Sequence, residues 1–461
     1  MARMASRRRT GHGSLGSTRG ASSHGLQRRQ WPPLVWAFIV CQGKLMLGLA
    51  LAVIGGLCSM PALANVSPRP VVVGAEVLLA GGFASLAGKR VGLIANQTSL
   101  ANGSHLADLL KAAPGVTLAA ILAPEHGFRG ASEAGASVGH AVDEKTGVPV
   151  WSLYGRARKP TPSMLRGIDA LVFDVQDIGA RFYTYISTLG LAMQAAAAAK
   201  IPFIVLDRPN PLGGDYVAGF VLEGALRSFV GQYPIPIVHG LTVGEIARMI
   251  KGEGWLDGLQ RLDLEIVKME NWQRAMRWPE TQLTWVPTSP NIATFQSALL
   301  YPGIGLVGET NVNEGRGTAT PFAVFGAPWL AAPRLVERLN RAPLAGVRFE
   351  AASYVPVAIA GVAKHPRFVG QSVSGVRLIV TDSARVEPLE IGVQVLAALT
   401  QEARAAGVRR LVANVAMFHA LAGTKRLYRM LLDGREASTI VAAWRGEVEA
   451  FKARRAKYLL Y

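Results

Sequence analysis

The hydrophobic pattern of this chain consists of short apolar runs that lead directly into polar residues. The clearest run, at residues 170–173, ends at Asp174 and is followed by Gln176 and Asp177. A run this short and this rich in branched side chains predicts a strand buried on both faces of a parallel sheet. The alanine-rich segment at 186–200 then predicts a helix.

Similar apolar runs recur before residue 210 and alternate with helical segments. Strands are expected at residues 89–95, 116–122, 149–154 and 202–206, of which 149–154 is a short edge strand. Helices are expected at residues 106–113 and 242–251. The second of these opens with Thr242 three residues before Glu245, which is a capping-box pattern. Alternating strands and helices predict βαβ units, an α/β fold class and a mostly parallel sheet.

Beyond Trp285 the pattern changes. A rigid polar loop at 287–291 is followed by a stretch at 303–322 rich in Gly, Asn, Glu and Thr. Residues 331–461 mix helices with strands and predict a smaller second domain. We therefore expect one domain at residues 70–285 and a second at 286–461.

The loops that follow the predicted strands are where a polar ligand is expected, because open α/β sheets bind ligands beyond the carboxyl ends of their strands. Their candidate residues are Asn96, Glu125, His126, Arg129, Asp174, Gln176, Asp177, Arg181, Tyr183, Asp207, Arg208, Asn210, Ser289, Asn291, Glu309, Asn311, Glu314 and Arg316. Amides, carboxylates and guanidinium groups in this mixture suit a sugar, whose hydroxyls both donate and accept hydrogen bonds. For the loop after residue 173 taken alone, an internal polar network is an equally good explanation.

The composition of the N-terminal residues indicates a signal peptide and therefore an exported protein. The first 44 of the 461 residues contain eight Lys or Arg and no acid, and a thirteen-residue apolar run follows at 45–57. With the small residues Ala62 and Ala64 at its end, residues 1–64 form a signal peptide with a basic N-terminal extension. A retained transmembrane helix is the alternative, but the apolar run is short for a bilayer. We expect a periplasmic or secreted protein without stable membrane insertion after cleavage.

Both cysteines, Cys41 and Cys58, lie in that leader. The mature chain therefore has no disulfide, no thiolate nucleophile and no cysteine-ligated metal, and we expect neither a metal nor a cofactor. Subtracting the eight leader charges from the net charge of +18 leaves +10. This basicity suits an anionic cell-wall glycan, whereas export and the lack of Lys/Arg runs with interleaved aromatics argue against a nucleic-acid partner.

Two short motifs do not have the context that their chemistry needs. Residues 303–308 match the G-x-G-x-x-G pattern of dinucleotide sites, but Pro302 precedes them and a polar loop follows. Residues 135–139 match the G-x-S-x-G nucleophile elbow, but a polar loop stands where an apolar strand is required. His126 and His140 lack the spacing of a metal-binding pair, so we expect hydrogen-bonding or core histidines.

Glycoside hydrolysis by the usual route needs two carboxyl groups, one protonated to assist the leaving oxygen and one ionised. Glu125, which follows Pro124 at the end of an apolar strand, is the candidate for the acid. Glu309 and Glu314 are the candidates for the second carboxylate. For Glu314, an ordinary ion pair with Arg316 is a strong alternative.

Longer segments narrow the choice of function. They are APEHGFRG at 123–130, FDVQDIGARFYTY at 173–185, DRPNPLGG at 207–214, PTSPN at 287–291 and NVNEGRGT at 311–318. Together they resemble the NamZ-type exo-β-N-acetylmuramidases, from about Val91 to the C-terminus. The resemblance implies release of N-acetylmuramic acid from the non-reducing end of peptidoglycan fragments. It also implies a Rossmann-like N-terminal domain, a smaller α/β C-terminal domain and a cleft between them.

The chain departs from the family pattern at one place. Many members have Glu-Gly-Thr-Asn or Glu-Ala-Thr-Asn where this chain has Gly308, Glu309, Thr310 and Asn311. A shift of one residue can point a side chain in another direction, so the exchange favours Glu314 relative to Glu309.

Muramic acid carries a lactyl carboxylate, and arginine binds carboxylates with a two-pronged hydrogen-bond fork. We expect at least one of Arg129, Arg181, Arg208 and Arg316 to bind it. Two other functions remain open, a non-catalytic muropeptide-binding protein and a carboxylic-ester hydrolase acting on wall fragments. The absence of a credible nucleophile elbow counts against the ester hydrolase.

The leader pattern predicts a mature protein that starts at or near Asn65. Mass spectrometry of the periplasmic fraction measures this directly. A dominant species that retains Cys58, acylated or not, would contradict the prediction.

Overall fold

The computed structural model describes residues 69–128, 141–155, 157–341 and 344–461. The strands are β1 (Arg90–Ala95), β2 (Leu100–Ala101), β3 (Ser104–His105), β4 (Thr117–Ala123), β5 (Ala141–Val142), β6 (Pro149–Ser152), β7 (Ala170–Asp174), β8 (Phe203–Leu206), β9 (Leu264–Val267), β10 (Val324–Ala327), β11 (Val347–Tyr354) and β12 (Val373–Val380). The helices are α1 (Gly74–Ala80), α2 (Leu106–Ala112), α3 (Tyr185–Ala199), α4 (Val243–Gly252), α5 (Phe295–Ile304), α6 (Ala332–Arg341), α7 (Pro388–Ala405), α8 (Val415–Ala422), α9 (Arg426–Leu432) and α10 (Ala437–Arg455). Within these four stretches, none of the helices combines the length and the apolar character needed to cross a bilayer.

The main sheet has the strand order β5-β6-β4-β1-β7-β8-β9, and its pairs are parallel except for β5 with β6. Strands β7 and β8 are buried along their whole length, as expected where helices cover both faces of a sheet. The predicted α/β fold with a mostly parallel sheet is confirmed. Strand β6, predicted at the edge, has the short strand β5 on its outer side.

The strand order also fixes where a ligand should bind. The chain runs from β1 outward to β4 and β6, then returns to the centre and runs from β7 to β8 and β9 in the other direction. The carboxyl ends of β1 and β7 therefore flank a topological switch point, which is the usual ligand crevice of a doubly wound sheet. Because β4 and β6 are parallel to β1, their carboxyl ends lie at the same edge.

The C-terminal part contains an antiparallel sheet of order β10-β12-β11, and helix α6 contacts β11 and β12. Helices α5 and α7 approach closely at Gly303 and Gly392. A Cβ atom on Gly303 would collide with the Pro388 carbonyl oxygen and with Gly392. Gly303 therefore serves helix packing, and residues 303–308 begin inside α5, whereas a dinucleotide site requires a strand before the motif. One hydrophobic cluster contains both Phe173 of β7 and Leu396 of α7, so the core is continuous between the two parts.

The C-terminal residue is tied to the end of β8. The Tyr461 hydroxyl donates to Asp207 Oδ2 and accepts from the Met269 amide, both at 2.8 Å. Asp207 also accepts from Thr242 Oγ1 at 2.7 Å. Thr242 and Glu245 form the predicted capping box at the start of α4. A single buried carboxyl thus joins a strand end, a helix start and the C-terminus.

We expect Tyr461→Phe to destabilise the protein by about 1–3 kcal/mol, because it leaves the buried Met269 amide unpaired and removes a donor from Asp207. Urea unfolding measures this. Tyr428→Phe is the matched control, since the Tyr428 hydroxyl makes no hydrogen bond with a described residue, and it should change stability by less than about 0.5 kcal/mol. Equal effects of the two substitutions would contradict the prediction.

Candidate active site

A cavity of about 600 Å³ opens beyond the carboxyl ends of the main sheet, and a smaller one of about 80 Å³ adjoins it. Their shared walls are formed by Glu125, Phe182, Thr184, Tyr301 and Arg316. The larger cavity is completed by residues from both parts of the chain, including Tyr154, Arg158, Phe229, Glu309, Asn414 and Met417. The cavity is therefore formed jointly by the N-terminal sheet and the C-terminal helices.

A strained turn after β4 places Glu125 in the wall. His126 and Gly127 follow it with φ of 73° and 79°, and the Gly127 amide donates to the Pro124 carbonyl at 3.1 Å. Left-handed backbone is unfavourable for a residue with a Cβ atom, so His126 adopts it only because the surroundings hold it there. Such local strain is typical of functional sites.

Two side chains hold the Glu125 carboxyl. Thr184, the residue before α3, does not cap its own helix and instead donates its hydroxyl to Glu125 Oε2 at 2.8 Å. Tyr154, just beyond β6, lies close enough that burial, followed by the charge of Glu125 and a hydrogen bond to it, raises the pKa of the phenol to about 12. Thr184 and Tyr154 therefore fix the orientation of the Glu125 carboxyl.

Glu309 faces the larger cavity from the turn that follows α5. Its carbonyl oxygen accepts from the amides of Ala413 and Asn414 at 2.9 and 3.1 Å, which fixes this turn against the start of α8. Burial raises the pKa of the Glu309 carboxyl. Arg316 opposes that shift and Glu314 adds to it.

Glu314 has a different position. Its buried side chain forms an ion pair with Arg316 and lies behind the cavity wall. Arg316 itself borders both cavities, and its guanidinium lies 5.2 Å from the ring centroid of Phe322. The structure therefore agrees with the ion-pair alternative for Glu314 and presents Glu309 to the cavity despite its exchange with Gly308.

Aromatic rings form the floor between these charged groups. Tyr301 contacts Phe182, Tyr183 and Phe322 with ring centroids 5.2, 5.9 and 5.0 Å away. Burial raises the pKa of Tyr301 to about 12, so its hydroxyl is a neutral donor and acceptor at neutral pH.

The candidate binding residues separate into two groups. Those that line at least one of the two cavities are His126, Tyr183, Ser289, Asn291 and Arg316. Those that line neither are Asn96, Asp174, Gln176, Asp177, Arg181, Asp207, Arg208, Asn210 and Asn311. Arg129 lies outside the described residues, as do His140 and residues 135–139.

Asp174 and Arg208 bind each other. Arg208 Nε and Nη2 lie 2.5 and 2.9 Å from the two oxygens of Asp174, and Nη2 also donates to the Leu100 carbonyl at 2.9 Å. Arg208 and Gln176 border a separate cavity of about 430 Å³ on the α1 side of the sheet edge. The structure therefore places Asp174, Gln176 and Arg208 apart from the two cavities that Glu125 lines, and their predicted contact with substrate stays a prediction.

Arg181 is committed to the backbone. Its guanidinium is fully buried and donates to the carbonyl oxygens of Phe220, Ile235 and Leu421 at 2.7–2.9 Å. Burial lowers the pKa of Arg181 to about 9. The side chain ties the loop after β7 to α8 and is not available to a substrate carboxylate.

The three predicted asparagines that line neither cavity donate hydrogen bonds to backbone carbonyls or to another side chain. Asn96 donates to the Tyr185 hydroxyl at 3.1 Å, Asn210 to the Leu241 carbonyl at 3.0 Å and Asn311 to the Arg410 carbonyl at 2.9 Å. Asn96 therefore supports a cavity residue from behind without facing the cavity.

Sequence reasoning missed Tyr154, Arg158, Thr184, Phe229, Asn414 and Met417. Tyr154 and Arg158 could have been found, since they follow β6, whose carboxyl end lies at the same edge as that of β4. Asn414 and Met417 belong to a helix that no strand-end argument reaches. Among the described residues, no group of three or more His, Cys, Asp and Glu side chains is arranged to hold a metal ion.

Comparison with known proteins identifies relatives along nearly the whole described chain. Residues 91–296 match the family model described as exo-beta-N-acetylmuramidase NamZ, N-terminal, and residues 299–461 match the corresponding C-terminal model. The peptidoglycan beta-N-acetylmuramidase NamZ of Bacillus subtilis (strain 168) is 42% identical over 395 residues, which are 85% of this chain and 91% of that protein.

Two crystal structures of DUF1343 family proteins from Bacteroides fragilis NCTC 9343 are similar in fold. One has a TM-score of 0.78 at 39% identity and covers 86% of this chain and 100% of its own. The other has a TM-score of 0.68 at 33% identity and covers 85% and 99%.

Asp177 supports a prediction about pH. Its Oδ2 lies 3.8 Å from His239 Nε2, and it accepts from the Gly179 amide at 2.7 Å. Burial raises the pKa of Asp177 to about 7 and lowers that of His239 to about 3, so His239 is neutral and provides no compensating charge.

Because the folded-state pKa of Asp177 exceeds the unfolded value of about 4, the folded protein binds more protons between about pH 4 and 7, and its stability falls as pH rises through that window. Burial also raises the pKa of Asp207 to about 7, so we expect Asp177→Asn to remove only the part of the decline that comes from Asp177, up to about 4 kcal/mol. Urea unfolding at a series of pH values, with the exposed Asp257→Asn as control, measures it. Parallel pH profiles for wild type and Asp177→Asn would refute the assignment.

Proposed function

The chain belongs to the NamZ family of exo-β-N-acetylmuramidases, and on that premise we propose that it releases N-acetylmuramic acid from the non-reducing end of peptidoglycan fragments, in the periplasm or outside the cell. It is a glycoside hydrolase. The leader pattern at 1–64 and the basic charge of the mature chain support the location.

The observation that carries the proposed reaction is the presence of two carboxyl groups, Glu125 and Glu309, in the wall of one cavity. Glycosidases of the usual type place two carboxyls on either side of the scissile bond, where one donates a proton to the leaving oxygen and the other attacks or activates water. Glu125 reaches the cavity from the end of β4 and Glu309 from the turn after α5, so substrate in the cavity would lie between two separately anchored groups.

The remaining walls suit a sugar. The Thr184, Tyr154 and Tyr301 hydroxyls and the Asn414 amide can exchange hydrogen bonds with sugar hydroxyls, and the Phe182 and Phe229 rings offer apolar surface. A cavity of about 600 Å³ lies within the usual range for small-molecule sites.

Glu125 is assigned as the general acid, and Glu309 as the second carboxyl. The raised pKa of Glu309 favours the reverse assignment, because burial helps a carboxyl to retain its proton. Glu314 is assigned to the orientation of Arg316. The two assignments make different predictions: in the variant that lacks the general acid, Glu125→Gln or Glu309→Gln, the loss of turnover depends on the leaving group.

The alternative functions differ in which substrates the protein would cleave. A non-catalytic muropeptide-binding protein would not hydrolyse an aryl N-acetylmuraminide. An ester hydrolase would cleave ester-linked wall substituents through a nucleophile, and the motif that contains Ser137 lies outside the described residues. Hydrolysis of the aryl glycoside, with no cleavage of acetyl esters, is the expected result.

Glu125→Gln should lower turnover of a disaccharide substrate by roughly 10²–10⁴-fold, because it removes the proton donor while keeping the shape of the side chain. Turnover of a substrate with an activated aryl leaving group should fall much less, provided that glycosidic cleavage limits the rate. Binding of N-acetylmuramic acid should stay within a few-fold of wild type. Steady-state kinetics on both substrates and calorimetric titration provide the measurements.

Glu144→Gln, an exposed glutamate elsewhere, is the matched control and should behave as wild type. If Glu309→Gln shows the leaving-group dependence instead, the acid is Glu309. If both variants keep full turnover of the disaccharide, the carboxyl pair is not the catalytic pair.

A further inference from the structure

We propose that Arg158 binds the lactyl carboxylate of the substrate and so distinguishes N-acetylmuramic acid from N-acetylglucosamine. The inference rests on the proposed function for the identity of the substrate. It assigns the role to an arginine outside the four that the sequence singled out.

The contacts of the three described candidate arginines lead to this assignment. The Arg181 guanidinium is occupied by three backbone carbonyls, and that of Arg208 by Asp174. Arg316 reaches the cavity, but the buried carboxylate of Glu314 compensates its charge. A second anion at Arg316 would have to compete with Glu314 for the same donors.

Arg158 is the cation in the described cavity wall that has no such partner. It follows β6, lines the larger cavity, and makes no ion pair or hydrogen bond with a described residue. Its guanidinium carbon lies 4.5 Å from the ring centroid of Phe229, which also lines the cavity. Stacking on the ring restrains the side chain while leaving the N–H groups in the plane of the guanidinium free to form a carboxylate fork.

The acidic residues of the cavity favour such a cation. Glu309, the second carboxyl of the proposed reaction, lines the cavity, so a substrate carboxylate near it would meet like charge unless a cation held it. Arg158 and Glu125 both act on Tyr154, since the charge of Arg158 opposes the rise in the pKa of Tyr154 that burial and Glu125 cause. The lactyl group would therefore lie on the β6 side of the cavity, against Arg158 and Phe229, with the scissile bond toward Glu125.

The test compares Arg158→Met, Arg158→Lys and Arg316→Met with wild type on the aryl glycosides of N-acetylmuramic acid and of N-acetylglucosamine. A hydrogen bond to a charged group corresponds to roughly a ten- to hundredfold effect. We expect kcat/KM of Arg158→Met to fall by that factor more for the muramic acid glycoside than for the other. Arg158→Lys should lose less, since it keeps the charge without the fork. The exposed Arg166→Met, from the same connection between β6 and β7, is the control.

A substrate change completes a double-mutant cycle. Converting the lactyl carboxylate to its carboxamide should weaken turnover by wild type roughly ten- to hundredfold and affect Arg158→Met little, because the two changes remove the same contact. Additive losses would overturn the inference, as would loss of discrimination in Arg316→Met and not in Arg158→Met. An equal loss on both glycosides would also overturn it.

Binding of free N-acetylmuramic acid and N-acetylglucosamine, followed by calorimetry, separates this inference from the proposed function. If wild type hydrolyses neither glycoside, the proposed function fails. The inference then still predicts that wild type binds muramic acid at least tenfold more tightly and that Arg158→Met does not. Equal affinities of wild type for the two sugars would overturn it.

Discussion

The structure depends on the complete burial of the central strands β7 and β8. Because both faces of these strands are covered, the polar residues that follow them emerge in the interior of the protein and must find internal partners. Asp174 pairs with Arg208, and Asp207 accepts from Thr242, Tyr461 and backbone amides. The same residues that resemble a ligand site in the sequence thus hold the carboxyl edge of the sheet together.

The polar residues that line the larger cavity come from turns and connections that place a side chain at the sheet edge without burying it. The strained turn at His126 presents Glu125, the connection after β6 presents Tyr154 and Arg158, and the turn after α5 presents Glu309. Glu125 and Glu309 come from different elements, and Tyr154 of the connection after β6 also holds the Glu125 carboxyl. A change at Arg158 leaves both carboxyl groups in place, which is the arrangement that loop-based sites on a rigid sheet permit.

The two arginines in the wall of the larger cavity differ in their partners. Arg316 forms an ion pair with the buried Glu314, whereas Arg158 lies over the Phe229 ring and has no carboxylate partner among the described residues. An arginine that has a carboxylate partner and one that rests on a ring look alike in sequence. They differ in how much of their charge is available to substrate.

The sequence by itself determined the α/β class, the parallel strands, the helix cap at Thr242 and the presence of Glu125 at a strand end, because these depend on local periodicity and on the direction of the strands. It also contained the family segments. Only the tertiary structure decided that Asp174 and Arg208 bind each other, that Arg181 binds carbonyl groups, and that Glu309 lines the cavity while Glu314 lies behind it. Those outcomes depend on contacts between residues far apart in the chain. The local pattern predicts that a side chain lies at the sheet edge, but it does not determine which distant residue binds it.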